Sequence, residues 1–167
     1  MLGVANSTTP PVVHINPDHF LETPEGRVTT SERNAWAWEQ CFVALPAVLK
    51  AAQSNARLYV LVGAQGSGKS TWAKQLVERE SSAIIFDAIL VKRSERAPIL
   101  LAAKEHGVPA VAVWFRTPLA VCLSRNANRP PDQVANEQGL RNVYAAVEPP
   151  TQAEGFVYVL EVENSDA

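Results

Sequence analysis

The stretch RLYVLVGAQGSGKSTWAKQLVERE, residues 57–80, joins an apolar run, a glycine-rich turn and a helical pattern. RLYVLV (57–62) is short and rich in strand-favouring residues, which predicts a buried β-strand. STWAKQLVERE (70–80) repeats its apolar residues at helical spacing. A strand, a glycine turn and a helix in this order predict a phosphate-binding loop at residues 63–71.

The spacing Gly63-x-x-x-x-Gly68-Lys69-Ser70 gives each loop residue a physical role. Glycines permit backbone turns that aim consecutive N–H groups at phosphate oxygens. We expect Lys69 to contact the β- and γ-phosphates of ATP and the Ser70 hydroxyl to bind Mg²⁺. A chance glycine turn is the alternative, but both flanks satisfy the context of the motif. The predicted ATP-binding residues of the loop are Gly63, Ala64, Gln65, Gly66, Ser67, Gly68, Lys69, Ser70 and Thr71.

Length and composition predict one globular domain spanning residues 1–167. The chain is 47% hydrophobic and 19% charged, and its net charge of −2 argues against an extended nucleic-acid surface. Its apolar runs are shorter than a membrane span, and its first residues lack a signal-peptide pattern, so we expect a cytoplasmic protein without a membrane span. Cys41 and Cys122 show no metal-ligand spacing and are predicted to be buried free thiols.

Apolar strands alternate with helical patterns along the chain. Residues 1–11 are expected to be a loose terminus. A three-layer α/β P-loop domain follows from this alternation, with a mostly parallel sheet of about five strands. The predicted elements are strands at 12–16, 57–62, 83–86, 110–115 and 156–162, a turn at 23–27, and helices at 29–52 with a Thr29–Glu32 capping box, 70–80, 94–106, 117–129 and 132–147.

Three charged residues outside the loop are candidates for the nucleotide site. Asp87 directly follows a predicted strand, where it would either support Mg²⁺ through water or simply end the strand. Arg125 and Arg129 are four residues apart and therefore share one face of a helix. They would either close over the triphosphate or be surface arginines at a helix end.

Several segments together resemble a known family. They are GAQGSGKSTWAKQL, FDA (86–88), Arg125-Asn126-x-x-Arg129-Pro130 and EPPTQAEGFVYV (148–159). Over residues 57–162 the chain resembles P-loop kinases grouped around the phage polynucleotide 5′-kinase, which include zeta-toxin-like sugar-nucleotide kinases. The resemblance implies Mg²⁺-dependent transfer of the ATP γ-phosphate to a hydroxyl. It also implies a lid at about 117–135, with Arg125 as nucleotide clamp and Arg129 as transition-state arginine.

One departure from the family concerns the general base. Relatives carry an Asn-x-Asp strand motif after the P-loop helix, but here that helix leads almost directly to SAIIFDA (82–88). VVHINPDHF (12–20) resembles the missing motif, and the helix at 29–52 resembles the one that follows it. The resemblance therefore implies that a strand–helix unit, 12–52, is permuted ahead of the core at 57–162, with Asp18 as the catalytic base. Without it, Asn-Pro-Asp is ordinary turn chemistry.

The acceptor is left open by the sequence. Leu21 stands where polynucleotide kinases carry an arginine for the acceptor phosphate, which argues against such an acceptor. Five basic residues would either line an acceptor pocket or be solvated side chains: His19, Arg27, Lys92, Arg93 and Arg96. One of Trp36 and Trp38 would either border the acceptor cleft or pack against the lid. His14 and His106 are predicted to be structural. The alternatives are a polynucleotide 5′-hydroxyl kinase and an ATP-binding regulatory module or slow ATPase; the oligomeric state is also open.

Overall fold

The strand that precedes the glycine loop is the central strand of the main sheet. The structure is a computed structural model, which describes residues 12–80 and 82–163. The strands are β1 (Val13–Ile15), β2 (Glu22–Thr23), β3 (Gly26–Arg27), β4 (Arg57–Val62), β5 (Ala83–Asp87), β6 (Ala110–Phe115) and β7 (Tyr158–Val162). The α-helices of the described part are α1 (Ser31–Ala51), α2 (Lys69–Arg79), α3 (Arg93–Glu105), α4 (Leu119–Ala127) and α5 (Glu137–Ala145). Short 3-10 helices lie at Pro17–Phe20, Pro131–Gln133 and Gln152–Glu154.

The main sheet has the strand order β1-β5-β4-β6-β7, and every neighbouring pair is parallel. Alternate residues of β4 face opposite sides of the sheet, as the two-residue period of a strand requires. Leu58 and Val60 pack in the core cluster to which α1 and α3 contribute, whereas Tyr59 and Leu61 pack in the cluster to which α2 contributes. This layering confirms the predicted three-layer α/β P-loop fold.

The sheet topology decides where polar residues meet. In a parallel sheet the carboxyl ends of all strands lie at one edge, which is where α/β proteins bind ligands. β1, β5 and β4 are neighbours, with Ile15 opposite Phe86 and Leu61 opposite Asp87. The residues that follow β1, the last residue of β5 and the glycine loop after β4 are therefore brought together at this edge.

The segment before β4 forms the elements that its sequence predicts, with small shifts. The strand predicted at 12–16 is β1, and the turn predicted at 23–27 is the β2–β3 hairpin. The helix predicted at 29–52 is α1, but its cap is Thr30, whose hydroxyl accepts a hydrogen bond from the Arg33 backbone N–H at 3.1 Å. The Thr29–Glu32 capping box was therefore wrong by one residue. The loose terminus predicted at 1–11 lies outside the described residues.

The two helices predicted after β6 are shorter than their apolar patterns indicate. α4 begins only after Pro118, and α5 begins at Glu137 rather than at 132. The reason for the second shift is local: Pro131 starts a 3-10 turn, and the Asn136 side chain then caps α5 by accepting from the Gly139 N–H at 3.0 Å.

Both cysteines are buried free thiols, as predicted. Burial, with a smaller contribution from Asp18, raises the pKa of the Cys41 thiol to about 11. Among the residues that the structure describes, none of the helices combines the length and the apolar character needed to cross a membrane.

A buried ion pair holds the segment before β7 against α3. Arg96 is fully buried and binds Glu154 through two hydrogen bonds of 2.8 and 3.0 Å. Its remaining donors reach the carbonyl oxygens of Leu90, Val91 and Glu148. The suggestion that Arg96 lines an acceptor pocket was therefore wrong, since all of its contacts are internal to the fold.

We predict that Arg96→Met lowers the free energy of unfolding by about 3–5 kcal/mol, because it leaves a buried carboxylate without its partner. Urea denaturation measures the change. Arg93→Met is the control: Arg93 lies 3.8 Å from the same carboxylate but is 53% exposed, so its loss should cost about 1 kcal/mol or less. Equal losses of the free energy of unfolding in the two variants would show that the buried Arg96–Glu154 pair stabilises the fold no more than the exposed Arg93 does.

Candidate nucleotide-binding site

The glycine loop connects the end of β4 to the start of α2. Gly66 and Gly68 have φ values of +76° and +105°, a region that other residues rarely adopt. Gly68 is the N-cap of α2 and makes no side-chain cap, so Lys69 and Ser70 open the helix with free backbone N–H donors. The loop therefore presents a helix N-terminus and turned backbone amides, which together favour an anion.

Close packing around the loop explains a second requirement for glycine. A Cβ atom at Gly66 would lie 2.5 Å from the carbonyl oxygen of Cys122 in α4, and one at Gly63 would lie 2.6 Å from Ser67 Oγ. The Thr117 hydroxyl donates to the Ser67 carbonyl at 2.6 Å, and Arg125 donates to the Gly66 carbonyl at 3.3 Å. The segment after β6 thus fixes the loop from behind.

Lys69 is buried next to Asp87. Its ammonium donates to the carbonyl of Ala88 at 3.2 Å and lies 3.9 Å from Asp87 Oδ1. Burial lowers the pKa of Lys69, while the neighbouring Asp87 opposes that shift. The lysine is therefore a cation whose solvation has been replaced by only a few protein oxygens, which leaves it able to bind a further anion.

Asp87 collects contacts from three elements. Its Oδ2 lies 3.0 Å from His14 Nε2 and accepts from the Asn16 amide at 3.3 Å, while Oδ1 faces Lys69. Burial alone would raise the pKa of Asp87, but the His14 hydrogen bond and the charge of Lys69 outweigh burial and hold that pKa below its usual value. His14, which was predicted to be structural, does not line the cavity, but it contacts the site residue Asp87 directly. No local sequence signal indicated this contact, because 73 residues separate the pair.

Asp18 lies in the 3-10 turn that follows β1. Asn16 caps this turn, and its side-chain oxygen accepts from the Asp18 N–H at 2.8 Å. One amide side chain therefore touches both Asp87 and the backbone of Asp18. The Asp18 carboxylate is 48% exposed, and Arg27 of β3 lies 3.3 Å from its Oδ2.

One cavity of about 460 Å³ is lined by most of the predicted site residues. Asp18, Gln65, Gly66, Gly68, Lys69, Ser70, Thr71, Asp87, Arg125 and Arg129 all line it. Three residues of the loop, Gly63, Ala64 and Ser67, do not line the cavity, because they are buried within the fold. The side chains of Asn34 and Trp38 on α1 complete the wall, and Asn34 had no sequence signal.

Most of the suggested acceptor-pocket residues lie elsewhere. His19, Arg27, Lys92, Arg93 and Arg96 are not among the residues that line this cavity. Of the two tryptophans, Trp38 borders it, as predicted for one of the pair, while Trp36 is exposed and packs edge-on against Phe20.

The predicted lid region is held in shape by its own polar residues. Asn126, between the two arginines, is buried and makes two hydrogen bonds of 2.8 Å with the backbone of Ala135. Asp132 accepts from the backbone N–H of Arg27 at 2.7 Å, which joins the lid region to the β2–β3 hairpin. These hydrogen bonds fix the backbone around Arg125 and Arg129, both of which line the cavity. Arg125 is also held by its hydrogen bond to the Gly66 carbonyl of the glycine loop.

The site residues fit a nucleotide with Mg²⁺. Gln65 Oε1, in the loop and at the cavity, is a buried oxygen without a hydrogen-bond partner in the described part of the protein, as expected where a ligand supplies the partner. The described residues contain no cluster of three or more His, Cys, Asp or Glu side chains suited to a metal. Mg²⁺ needs no such cluster, because it is usually bound by one or two protein oxygens together with substrate phosphates. Ser70 and Asp87 provide such oxygens at the cavity.

A family model described as an AAA domain matches residues 79–150. The match covers less than half of the chain and begins after the glycine loop, so the loop motif and the match are separate indications. Together with the parallel sheet they support a P-loop nucleotide-binding domain of the kinase-like type. A comparison with curated proteins gave no match.

We predict that Gly66→Ala lowers both thermal stability and nucleotide affinity, because the new methyl group meets the Cys122 carbonyl at 2.5 Å and the residue keeps a positive φ. Gly139→Ala is the control, since a Cβ there meets nothing closer than 3.8 Å and the position is helical. The control should be neutral or up to about 1 kcal/mol more stable. Thermal unfolding and calorimetric titration with ATP measure both effects; a Gly66→Ala variant that matched the control would contradict the close packing.

Proposed function

We propose that the protein is a Mg²⁺-dependent kinase that transfers the γ-phosphate of ATP to a hydroxyl of a small-molecule or nucleotide-like acceptor. The observation that carries the proposal is the cavity itself, which a carboxylate from the β1 side, Asp18, shares with Lys69 and with two arginines of the lid region. A nucleotide-binding module alone needs the lysine but has no use for an exposed carboxylate at this position.

The loop residues would hold the triphosphate. Backbone amides at the start of α2 and the Lys69 ammonium provide the positive field, and the Ser70 hydroxyl and Asp87, the latter through water, would hold the metal. When bound there, Mg²⁺ would supply positive charge to offset the negative charge that develops on the phosphates. Asp87 favours the charged form of Lys69 and helps to position it, since its Oδ1 lies 3.9 Å from the ammonium.

Asp18 would act as the general base. In the proposed step the acceptor hydroxyl oxygen forms a bond to the γ-phosphorus, the bond from that phosphorus to the ADP oxygen breaks, and the hydroxyl proton passes to the Asp18 carboxylate. Because the transition state is loose, the base mainly orients the hydroxyl and takes its proton late. Asn16 and Arg27 hold Asp18 for this purpose through its N–H and its Oδ2.

The lid arginines would act on charge rather than on protons. Arg129 would stabilise the transferring phosphoryl group, and Arg125 would clamp the nucleotide. Both line the cavity, and Arg125 also contacts the loop through the Gly66 carbonyl. α4 ends at Ala127, so Arg125 lies in its last turn and Arg129 lies beyond it. The prediction that the two arginines share one helix face was therefore wrong, although both line the cavity.

The order of elements supports a permuted unit. β1 lies in the main sheet beside β5, and α1 packs in the same core cluster as β4 and α3. We infer that residues 12–52 supply the strand, base and helix that relatives carry after the P-loop helix. The unit and residues 57–162, with the lid at about 117–135, then form one kinase domain.

The nearest alternative is a polynucleotide 5′-hydroxyl kinase. It differs from the proposal in its acceptor, so identifying the acceptor distinguishes the two. An ATP-binding regulatory module or slow ATPase is the alternative from another class. Such a module would need no catalytic base at position 18, and the Asp18→Asn variant tests this.

We predict that Asp18→Asn keeps ATP affinity and lowers phosphoryl transfer by about 10²–10⁴-fold, because the amide retains the size of the carboxylate but cannot take a proton. Glu22→Gln is the control: Glu22 also binds Arg27, at 2.9 Å, but does not line the cavity. Calorimetry measures ATP binding, and transfer of labelled γ-phosphate to acceptors measures activity. Equal transfer by the Asp18→Asn variant and the wild type would contradict the role of Asp18 as base. ATP binding by the wild type without transfer to any acceptor would favour the regulatory module.

We predict that Arg129→Ala lowers kcat on the order of 10³-fold with little change in the KM for ATP, since arginines of this kind act mainly on the transition state. Arg141→Ala, which removes an exposed arginine paired with Glu137 on α5, is the control and should leave kcat unchanged. Steady-state kinetics with varied ATP separates the two constants. An unchanged kcat in Arg129→Ala would make this residue an ordinary surface arginine.

A further inference from the structure

The cavity wall divides its charges between two sets of elements. The cations that line it, Lys69, Arg125 and Arg129, belong to α2 and to the lid region. The other part of the wall comes from the 3-10 turn after β1, from α1 and from Ile89 after β5. Asp18 is the charged side chain that the turn and α1 contribute, whereas Asp87 of β5, which also lines the cavity, faces Lys69. An acceptor that lies next to Asp18 therefore meets a negative charge on this part of the wall, whereas the cations of the cavity belong to the part that the triphosphate is proposed to occupy.

The nearest guanidinium is already paired. Arg27 lies 3.3 Å from Asp18 Oδ2 and 2.9 Å from Glu22 Oε1, its side chain is only 16% exposed, and it does not line the cavity. Leu21, in the same turn, is buried in the core. A phosphate on the acceptor would have to displace two carboxylates from Arg27 before it gained a cation. Such an exchange gives little or no net stabilisation, so an anionic acceptor is disfavoured.

A planar polar surface is present instead. Asn34 and Trp38 are one helical turn apart on α1 and both line the cavity. The Trp38 ring stacks on Phe42, with ring centres 6.2 Å apart and planes at 24°, and Phe42 in turn contacts Phe86 of β5. The indole is therefore held in place before a ligand arrives, and the Asn34 amide adds one hydrogen-bond acceptor and a donor group beside it.

Resting on the proposed phosphoryl transfer, we infer that the acceptor is an uncharged hydroxyl compound with a planar polar ring, of the nucleoside type, which stacks on Trp38 and hydrogen-bonds to Asn34 with its hydroxyl directed at Asp18. An acceptor that carries a phosphate beside its reactive hydroxyl, as at the end of a nucleic acid, is disfavoured by the Asp18–Arg27–Glu22 cluster.

The test compares ribonucleosides with their 3′-monophosphates, which differ only in that phosphate. Binding is measured by calorimetry on the full chain saturated with Mg²⁺ and β,γ-imido ATP, so that the probes cannot enter the ATP site. Transfer is measured with labelled ATP and the same probes, with glycerol as a hydroxyl compound without a ring. At least one nucleoside should bind about tenfold or more tightly than its 3′-monophosphate, and glycerol should be a poor acceptor.

Variants of α1 test the residues. Trp38→Leu should weaken nucleoside binding by about ten- to hundredfold, the range expected for loss of a stacked base, while ATP affinity stays the same. Trp38→Phe should recover most of the binding, which guards against a fold defect. Trp36→Leu is the matched control: Trp36 is on the same helix but is 45% exposed and does not line the cavity. Asn34→Ala should weaken nucleoside binding. In that background, Trp38→Phe should still bind the nucleoside more tightly than Trp38→Leu does.

The outcomes separate the two proposals. Tighter binding of the 3′-monophosphates, binding unaffected by Trp38→Leu, or no binding of any nucleoside would each overturn the inference and, in the first case, favour a nucleic-acid end. Transfer to glycerol without nucleoside binding would overturn the acceptor class and leave the kinase in place. Nucleoside binding that depends on Trp38 without transfer of phosphate would uphold the pocket and overturn the kinase.

Discussion

The buried carboxylate of Asp87 is the contact on which the candidate site depends. A carboxylate with this little exposure must be paired or hydrogen-bonded to remain ionised. Its partners come from three places in the chain: His14 in β1, Asn16 directly after β1, and Lys69 at the start of α2. Satisfying one charge therefore joins the edge strand of the sheet to the glycine loop after its central strand.

Asn16 extends this connection toward the acceptor side. Its amide nitrogen donates to Asp87 and its oxygen accepts from the Asp18 backbone, so the position of Asp18 depends on the same carboxylate that faces Lys69. Asp18 then contacts the Arg27 side chain, and the Arg27 backbone donates to Asp132 in the lid region. A continuous series of polar contacts thus links the loop, the proposed base and the lid.

Sequence patterns predicted those parts of the fold that depend on neighbours along the chain. β4 and β6 have the predicted limits, because short apolar runs next to glycine or proline are specified locally. The N-caps of α1 and α5, Thr30 and Asn136, differ from the predicted helix starts. Several nearby polar residues can cap each helix, and only tertiary packing selects one of them. Within the site, the motif indicated the loop and Lys69. The pairs His14–Asp87, Arg27–Asp18 and Arg96–Glu154 were not predictable, because 73, 9 and 58 residues separate partners whose meeting is decided by sheet order and packing.

The proposed permutation has a physical basis in the same sheet order. A site at the carboxyl edge of a parallel sheet requires certain strands to be neighbours but not to follow one another in the chain. β1 reaches its place beside β5 through hydrogen bonds, and α1 reaches its place through core residues such as Cys41, Leu45 and Leu49; neither contact depends on the connection that precedes or follows it. α2 then leads to β5 within a few residues, and α1 leads to β4 through residues 52–56. Because short connections suffice at both points, the proposed move of the strand–helix unit to the front is compatible with Asp18, Asp87 and Lys69 lining one cavity.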